Sequence, residues 1–136
     1  MIREGDLICL CGELGAGKTT LASGIGNGWG AREIVNSPTF VLVNEYSDSR
    51  GCRLYHIDAY RLRDAADSQS IALDDLLNDP HGAVMIEWAE RVKDVLPQEC
   101  LWVELTTIDD QSRRIKIEAR GERYRQLLES IVIRES

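Results

Sequence analysis

The sequence predicts a three-layer α/β domain whose mixed sheet has parallel strands at its centre. Two runs, residues 7–11 and 83–86, are apolar at every position, as strands covered on both faces of a parallel sheet are. The first run leads into residues 19–25, which can continue as a helix. With 136 residues the chain is long enough to bury a substantial core, and residues 1–136 are interpreted as a single domain.

The elements between these two strands follow from local composition. Gly28 and Gly30 favour an end for the first helix, because glycine adopts the left-handed cap conformation without strain. Residues 31–38 are predicted to form a loop. Residues 40–46 are rich in β-branched and aromatic side chains, which indicates a strand. After a turn the chain returns as a second strand over residues 52–58, which predicts a β-hairpin.

The second half of the chain supplies the remaining strands. Residues 59–78 are polar and interrupted, which predicts one or two short helices with Leu73, Leu76 and Leu77 facing inward. The apolar run at 83–86 should lie beside the first strand in the middle of the sheet. The elements expected after it are a short helix that stops before Pro97, strands at residues 101–107 and 113–119, and a final helix at residues 121–131.

Charge and composition exclude several classes of protein. Sixteen basic and 23 acidic residues give a net charge of −7, which argues against a protein whose own affinity depends on neutralising nucleic-acid phosphates. No apolar run reaches the roughly 18 residues of a membrane span, and no signal peptide is expected before the first strand. The 4 cysteines form no C-x-x-C pair and only 2 histidines are present, so a zinc site is not expected. The sequence indicates a reduced, cytoplasmic protein.

The segment GELGAGKT, residues 12–19, follows the phosphate-binding pattern G-x-x-x-x-G-K-[ST]. It lies between a buried strand and a helix, where its glycines let several backbone N–H groups point at one centre and the helix N-terminus favours an anion. Lys18 would reach the β and γ phosphates, and the Thr19 hydroxyl would bind Mg²⁺. The sequence therefore predicts a P-loop nucleotide-binding fold. The nucleotide-binding residues predicted here are Gly12, Glu13, Leu14, Gly15, Ala16, Gly17, Lys18, Thr19 and Thr20.

Two acidic residues end predicted strands. Glu87 directly follows the apolar run, and in P-loop proteins an acid at this position faces the Mg²⁺ from the side opposite the P-loop hydroxyl. Asp58 ends the second hairpin strand. It either caps a helix that begins near Ala59 or orients and deprotonates the attacking water, and sequence spacing leaves both interpretations open.

Two further polar residues lie close to these segments in the sequence. Thr39, in the segment Ser37-Pro38-Thr39, lies where a switch segment would sit and could present its hydroxyl to Mg²⁺ or the γ-phosphate. The alternative is a simple turn into the next strand. His56 alternates with apolar neighbours and is interpreted as a hydrogen-bonded structural residue rather than a catalyst.

The last strand and helix carry a cluster of basic residues. Ile115, Ile117 and Ala119 are expected on one face of the strand, and the basic residues at 114, 116 and 120 on the other, with Arg123 and Arg125 following on the helix. A solvated strand face is the default interpretation of such a charge pattern. A docking surface for an acidic partner or RNA is the sharper alternative.

Four separated segments together resemble one family. They are residues 12–20, the SPTF sequence at 37–40, the YHIDAYRL sequence at 55–62, and Ile86-Glu87-Trp88. In this order and spacing they resemble the TsaE (YjeE) family, the small P-loop ATPases of bacterial tRNA threonylcarbamoyladenosine synthesis. The resemblance runs from about Gly5 to about Leu105, and the last thirty residues add little to it.

The resemblance implies a cytoplasmic protein that binds ATP and Mg²⁺ and hydrolyses ATP weakly. It implies two partners, the threonylcarbamoyltransferase subunit and the inactive paralogue of that subunit, with tRNA contacted indirectly through the complex. The family ATPase does not perform the carbamoyl transfer but resets the complex between turnovers. On matching positions, Lys18 contacts phosphate, Thr19 and Glu87 serve Mg²⁺, and Asp58 is needed for hydrolysis. Thr39 belongs to the switch, and Trp88 lies near the nucleotide.

Members of this family usually carry a strand and a helix before the P-loop strand, whereas six residues precede Leu7 here. One apolar face of the first strand is therefore expected to be uncovered and available for self-association or a partner. Two other functions remain open. A small-molecule kinase also uses a P-loop, although residues 62–78 make a poor lid, and a nucleotide-gated interaction module would hydrolyse ATP only incidentally. A GTPase is not favoured, because the sequence lacks an Asn-Lys-x-Asp motif.

Overall fold

The computed structural model describes residues 2–12, 18–30, 43–60 and 73–135. The chain forms one mixed sheet with helices on its faces. In order, its elements are β1 (Leu7–Gly12), α1 (Lys18–Trp29), β2 (Val43–Ser47), β3 (Arg53–Asp58), α2 (Leu73–Leu77), β4 (Gly82–Glu87), two 3₁₀ turns (Ala89–Arg91 and Lys93–Val95), β5 (Cys100–Thr107), β6 (Arg113–Arg120) and α3 (Glu122–Glu135).

The sheet has six strands in the order β2-β3-β4-β1-β5-β6. The four inner strands run parallel, and β2 and β6 pair antiparallel at the two edges. This arrangement confirms the predicted mixed sheet with a parallel centre. It also places the carboxyl ends of β1, β3 and β4 side by side, because neighbouring parallel strands end at the same edge.

Each face of the sheet carries its own apolar cluster. Ile8 and Leu10 of β1 belong to the cluster that α1 and α3 cover, where Ala22 and Leu127 are buried. The alternate residues of β1, together with Leu73 of α2, belong to the cluster on the opposite face. Because successive strand residues point to opposite faces, a strand that is apolar throughout requires cover on both sides.

The expectation of an uncovered face on β1 is wrong. Every residue from 7 to 11 is buried, and the most exposed of them, Cys11, is only 5% exposed. Half-buried side chains of α2, of the 3₁₀ segments and of Leu96 pack against the cluster on the second face. These short elements therefore cover the second face of β1. The fold therefore provides no apolar surface on β1 for self-association.

Other predicted elements are confirmed with changes at their ends. The hairpin forms, with β2 beginning at Val43, while residues 31–42 and 61–72 lie outside the described part of the chain. The short helix predicted before Pro97 is wrong in type. Two 3₁₀ turns form instead, because Val92 between them has φ −126° and ψ 16°, which interrupts a continuous helix. The last helix extends to Glu135 rather than ending at residue 131.

The inward face predicted for β6 is only partly covered. Ile117 and Ala119 pack against the core, but Ile115 is 54% exposed. Its side chain opens onto a groove of about 560 Å³ that is also lined by Leu21 of α1 and Leu105 of β5. An edge strand has cover only as far as the neighbouring helices reach, and here they reach only the second half of β6.

Gly12 ends β1 in a conformation that favours glycine, with φ +144°. A Cβ at this position would lie 2.4 Å from the carbonyl oxygen of Leu105, which is backbone and cannot swing away. We expect Gly12→Ala to lower the free energy of unfolding by about 2–5 kcal/mol through strain and overpacking, measured by urea denaturation. The matched control is Gly24→Ala in the exposed face of α1, where a Cβ meets open space. That variant should gain about 0.5–1 kcal/mol, and equal behaviour of both variants would contradict the steric argument.

Candidate functional site

Three of the predicted site residues meet at the carboxyl edge of the parallel strands. Glu87 ends β4, lies opposite Leu10 of β1 and lies opposite Asp58 at the end of β3. Lys18 begins α1, which follows β1 after the P-loop segment. The carboxylates of Glu87 and Asp58 are both close enough to act on the Lys18 ammonium electrostatically. The sheet topology therefore brings together a cation at position 18 and two anions at positions 58 and 87.

Lys18 is held in place by its surroundings. Its side chain is 5% exposed, its Nζ donates a hydrogen bond to the Gly12 carbonyl at 2.6 Å, and the same Nζ lies 3.9 Å from the centroid of the Trp88 ring. Burial lowers the pKa of Lys18, and the carboxylates of Glu90, Glu87 and Asp58 oppose that shift. The ammonium group thus occupies a position at the base of the P-loop, between a carbonyl dipole and an aromatic face.

Glu87 is a buried carboxylate with a buried partner. It is 3% exposed, and its Oε2 lies 2.5 Å from Nε2 of His56, which is fully buried. The prediction that His56 is a hydrogen-bonded residue is confirmed, but its partner is the candidate metal ligand itself. Sequence reasoning missed this connection because residues 31 positions apart meet only through the pairing of β3 with β4.

Asp58 makes a local hydrogen bond after β3, but residues 61–72, which would form the capped helix, lie outside the described residues, so both interpretations of Asp58 stay predictions. Its Oδ1 accepts a hydrogen bond from the backbone N–H of Tyr60 at 2.9 Å, so the carboxylate stabilises the turn that follows β3. The side chain is half-buried and lies beside Glu87 on the same face of the sheet. The hydrogen bond from Tyr60 to one oxygen also fixes the direction of the Asp58 carboxylate. This orientation is compatible with the role in hydrolysis that the family resemblance implies.

The Trp88 ring, which lies against the Lys18 ammonium, belongs to a small cluster with Tyr60 and Arg91. Trp88 has φ 61° and ψ 39°, the only left-handed backbone of a non-glycine residue in the described ranges, which costs about 1–3 kcal/mol. Its ring packs against that of Tyr60 with centroids 4.9 Å apart. The guanidinium carbon of Arg91 lies 5.1 Å from the Tyr60 centroid and 5.9 Å from the Trp88 centroid. Tyr60 and Arg91 were not predicted as site residues, since nothing in their spacing marks them.

Several predicted positions lie outside the described part of the chain. They are Glu13, Leu14, Gly15, Ala16, Gly17, Thr39 and the side chain of Thr19. The described ends of the P-loop segment are Gly12 and Lys18, and Thr20 is exposed on α1. The strand before this segment and the helix after it are the ones that the sequence predicted.

The basic residues near the C-terminus are largely paired with acids. Arg120 lies 3.2 Å from Glu118, and Arg125 lies 3.1 Å from Glu122. Arg123 forms a 2.7 Å ion pair with the buried Asp6. This pairing favours the default interpretation of a solvated, charge-balanced surface. None of the described helices has the length and apolar character that crossing a bilayer requires.

Comparison with known proteins identifies the family. A family model described as "Threonylcarbamoyl adenosine biosynthesis protein TsaE" matches residues 1–115. The chain belongs to the TsaE family. A TsaE relative from Bacillus subtilis is 40% identical over 129 residues, covering 95% of this chain and 79% of the relative. One from Streptomyces coelicolor is 38% identical over 130 residues, covering 91% of this chain and 86% of the relative. Both carry the description "tRNA threonylcarbamoyladenosine biosynthesis protein TsaE".

A solved structure is similar to this chain in three dimensions as well as in sequence. The crystal structure of YdiB from Bacillus subtilis matches all of this chain and 82% of its own, with a TM-score of 0.82 and 34% sequence identity. The parallel centre of the sheet, with β1 at residues 7–12 followed by α1 at residues 18–29, is consistent with a P-loop NTPase fold. The fold predicted from the sequence is therefore confirmed.

Proposed function

We propose that this TsaE family member binds ATP together with Mg²⁺, hydrolyses the ATP slowly, and acts in the modification of tRNA to N6-threonylcarbamoyladenosine. The observation that supports the proposal most directly is the meeting of Lys18, Asp58 and Glu87 at one strand edge, next to a P-loop sequence. One cation for phosphate and two carboxylates for metal and water are the components that phosphoryl transfer from ATP to water requires. The descriptions of the relatives support the tRNA-modification role.

The residues present fit a magnesium ion that arrives with the nucleotide. Among the described residues, no three His, Cys, Asp or Glu side chains gather into a metal-binding group. Mg²⁺ bound by one or two protein oxygens takes its other ligands from phosphates and water, so a three-residue group is not needed. Glu87 and the Thr19 hydroxyl would be the protein ligands. When bound, Mg²⁺ supplies positive charge that neutralises the phosphate oxygens.

Lys18 must change partners when the nucleotide binds. Its Nζ donates to the Gly12 carbonyl and lies on the Trp88 ring in the structure. A phosphate oxygen is a stronger acceptor than a carbonyl because the hydrogen bond is then charge-assisted on both sides. The β and γ phosphates would therefore replace Gly12 as the acceptor. Part of the binding free energy is used to break the existing contacts.

Asp58 and Thr39 are the proposed catalytic residues beside Lys18. Asp58 is held by the Tyr60 N–H at 2.9 Å, which directs its carboxylate at the strand edge where the attacking water would lie. A carboxylate in this position orients the water and accepts its proton, an effect typically worth about 10²–10⁴-fold in rate. Thr39 would contribute the switch hydroxyl. The proposal assigns no carbamoyl-transfer chemistry to the chain.

We place the protein in the cytoplasm with two partners, the threonylcarbamoyltransferase subunit and its inactive paralogue, and propose that ATP hydrolysis resets their complex between turnovers. Contact with tRNA would be indirect. The net charge of −7 supports that view, as does the pairing of Arg120, Arg123 and Arg125 with acids, since these three guanidinium groups are already held by carboxylates. Four free, buried cysteines are compatible with a reducing compartment.

The deciding experiment is an ATPase assay of the purified chain, alone and with the transferase pair and tRNA. We expect slow hydrolysis by the chain alone, loss of hydrolysis when Mg²⁺ is chelated, and a faster rate with the partners. Calorimetry without detectable ATP binding in the presence of Mg²⁺ would reject the proposal. ATP-dependent phosphorylation of a small acceptor would favour a kinase. ATP-dependent partner binding that survives complete loss of hydrolysis would favour a nucleotide-gated interaction module.

The contact between Lys18 and Trp88 yields a spectroscopic prediction. Because the ammonium lies 3.9 Å from the ring centroid, its transfer to phosphate changes the electric field at the indole. We expect ATP with Mg²⁺ to change the tryptophan fluorescence of the wild-type protein. The change should disappear in Trp88→Phe, where the two other tryptophans remain. An undiminished change in that variant would show that the signal comes from Trp29 or Trp102.

A further inference from the structure

One buried polar residue near the site has no role in the function proposed so far. His56 is fully buried in β3, and on its face of the sheet it lies between Asn44 of β2 and Met85 of β4. Leu54, two positions earlier, is also fully buried on that face. An apolar side chain at position 56 would suit these surroundings without the cost of removing an imidazole from water.

The hydrogen bonds of the ring are incomplete within the described part of the chain. Nε2 lies 2.5 Å from Oε2 of Glu87, whereas Nδ1 is buried and has no hydrogen-bond partner there. A buried nitrogen without a partner costs free energy, and native proteins seldom retain one unless it serves a purpose. Among the described residues, the one hydrogen bond that this ring makes is to Glu87, which points to the carboxylate as the reason for the histidine.

The geometry explains how the ring controls the carboxylate. Asp58, not His56, lies opposite Glu87, so His56 reaches Glu87 diagonally from two positions earlier in the register, on the same face of the sheet. A ring fixed between two strands offers its N–H from a fixed direction. With Oε2 held from that direction, the orientation of the Glu87 carboxylate is set before any nucleotide binds. Metal-linked carboxylates are commonly oriented by such a hydrogen bond from a neighbouring side chain.

We infer that His56 is a positioning residue for Glu87, donating from Nε2 so that the carboxylate is oriented for the magnesium that accompanies the nucleotide. The inference rests on the proposed function. It assigns a hydrogen to Nε2, since a carboxylate oxygen only accepts. The ring itself does not touch metal or nucleotide. Loss of the hydrogen bond should therefore weaken the response to Mg²⁺ while sparing the affinity for nucleotide without metal.

The first test compares ATP binding by calorimetry in EDTA and across a Mg²⁺ titration. For His56→Leu we expect the Mg²⁺ concentration at half-effect to rise by about 10- to 100-fold, with the affinity in EDTA unchanged. His56→Gln keeps an N–H donor and should recover most of the response. Met85→Leu, a change of similar volume in the neighbouring strand, is the control for disturbed packing and should behave as the wild type.

A double variant tests whether His56 acts through Glu87. In a Glu87→Gln background, adding His56→Leu should cause no further loss of the Mg²⁺ response, because the oriented charge is already absent. A further loss would overturn the inference. So would a folded His56→Leu protein with the wild-type Mg²⁺ response. If instead the unmodified protein fails to bind ATP with Mg²⁺, the proposed function fails, which is a different result.

A second measurement needs no change at position 56. The chain has 2 histidines, so a His81→Gln variant assigns the imidazole nitrogens in a ¹⁵N NMR spectrum. We expect His56 to carry its hydrogen on Nε2, and the Nε2 signal to move when ADP and Mg²⁺ are added but not with ADP in EDTA. A ring protonated only on Nδ1, or an Nε2 signal indifferent to the metal, would overturn the inference even if His56→Leu does not fold.

Discussion

Replacing Lys18 with alanine is expected to weaken ATP binding by about 100-fold, since hydrogen bonds to charged groups contribute about 1.5–3 kcal/mol. The ammonium would bring a full positive charge to the phosphates, and the backbone N–H groups cannot replace that charge. Calorimetry with ATP and Mg²⁺ measures the loss. In cells that carry only this variant, we expect tRNA to lack the threonylcarbamoyl modification although the partner proteins are present.

The matched control for Lys18→Ala is Lys18→Met. Lys18 is 5% exposed and packs on Trp88, so alanine removes an aliphatic stem as well as a charge. Methionine keeps most of the stem and removes only the charge. Both variants should lose ATP binding equally, while Lys18→Met should unfold at the higher temperature. Recovery of binding in Lys18→Met, or normal tRNA modification with Lys18→Ala, would refute the assigned role.

The second large effect is expected from the two carboxylates at the strand edge. Asp58→Asn and Glu87→Gln should each lower the hydrolysis rate by about 10²–10⁴-fold and leave nucleotide affinity much closer to that of the wild type. The amides keep the structural hydrogen bonds, because an amide oxygen can still accept from the Tyr60 N–H and from His56. The change therefore isolates the negative charge. Single-turnover kinetics and calorimetry on the same protein samples measure the two quantities.

Glu45→Gln provides the control for a lost negative charge. Glu45 is exposed on the edge strand β2 and lies 3.7 Å from Arg53, away from the strand ends that form the site. It should leave both hydrolysis and affinity unchanged. Equal losses of affinity and hydrolysis in Asp58→Asn or Glu87→Gln would show that these residues bind nucleotide rather than serve the reaction.

The parts of the site that sequence alone predicted have local causes. The P-loop pattern at residues 12–19 is a contiguous signal, and the runs at 7–11 and 83–86 are buried strands because every residue in them is apolar. Glu87 could be predicted because it ends such a run. The four-segment resemblance correctly indicated the family, since each segment keeps its order and spacing along the chain.

The parts that sequence did not predict depend on contacts between distant segments. The inward leucines of α2 were predicted, but the sequence did not show that α2 and the two 3₁₀ turns pack on the second face of β1. The left-handed backbone at Trp88 could not be predicted from the residue type, because tryptophan rarely adopts this conformation. Ile115 is exposed because β6 is an edge strand. The alternation of apolar and polar residues along a strand does not show which other elements pack against it.

The sequence by itself determined the order of strands and helices along the chain, the P-loop sequence pattern and the positions of the acidic residues, because each is written in adjacent residues. Only the tertiary structure decided that His56 holds Glu87 and that Trp88 lies on Lys18. The register between β3 and β4 brings the first pair together, and the turn after β4 brings the second. Each contact joins residues more than thirty positions apart, and the second also depends on the strained backbone at Trp88. No pattern of neighbouring residues therefore encodes them.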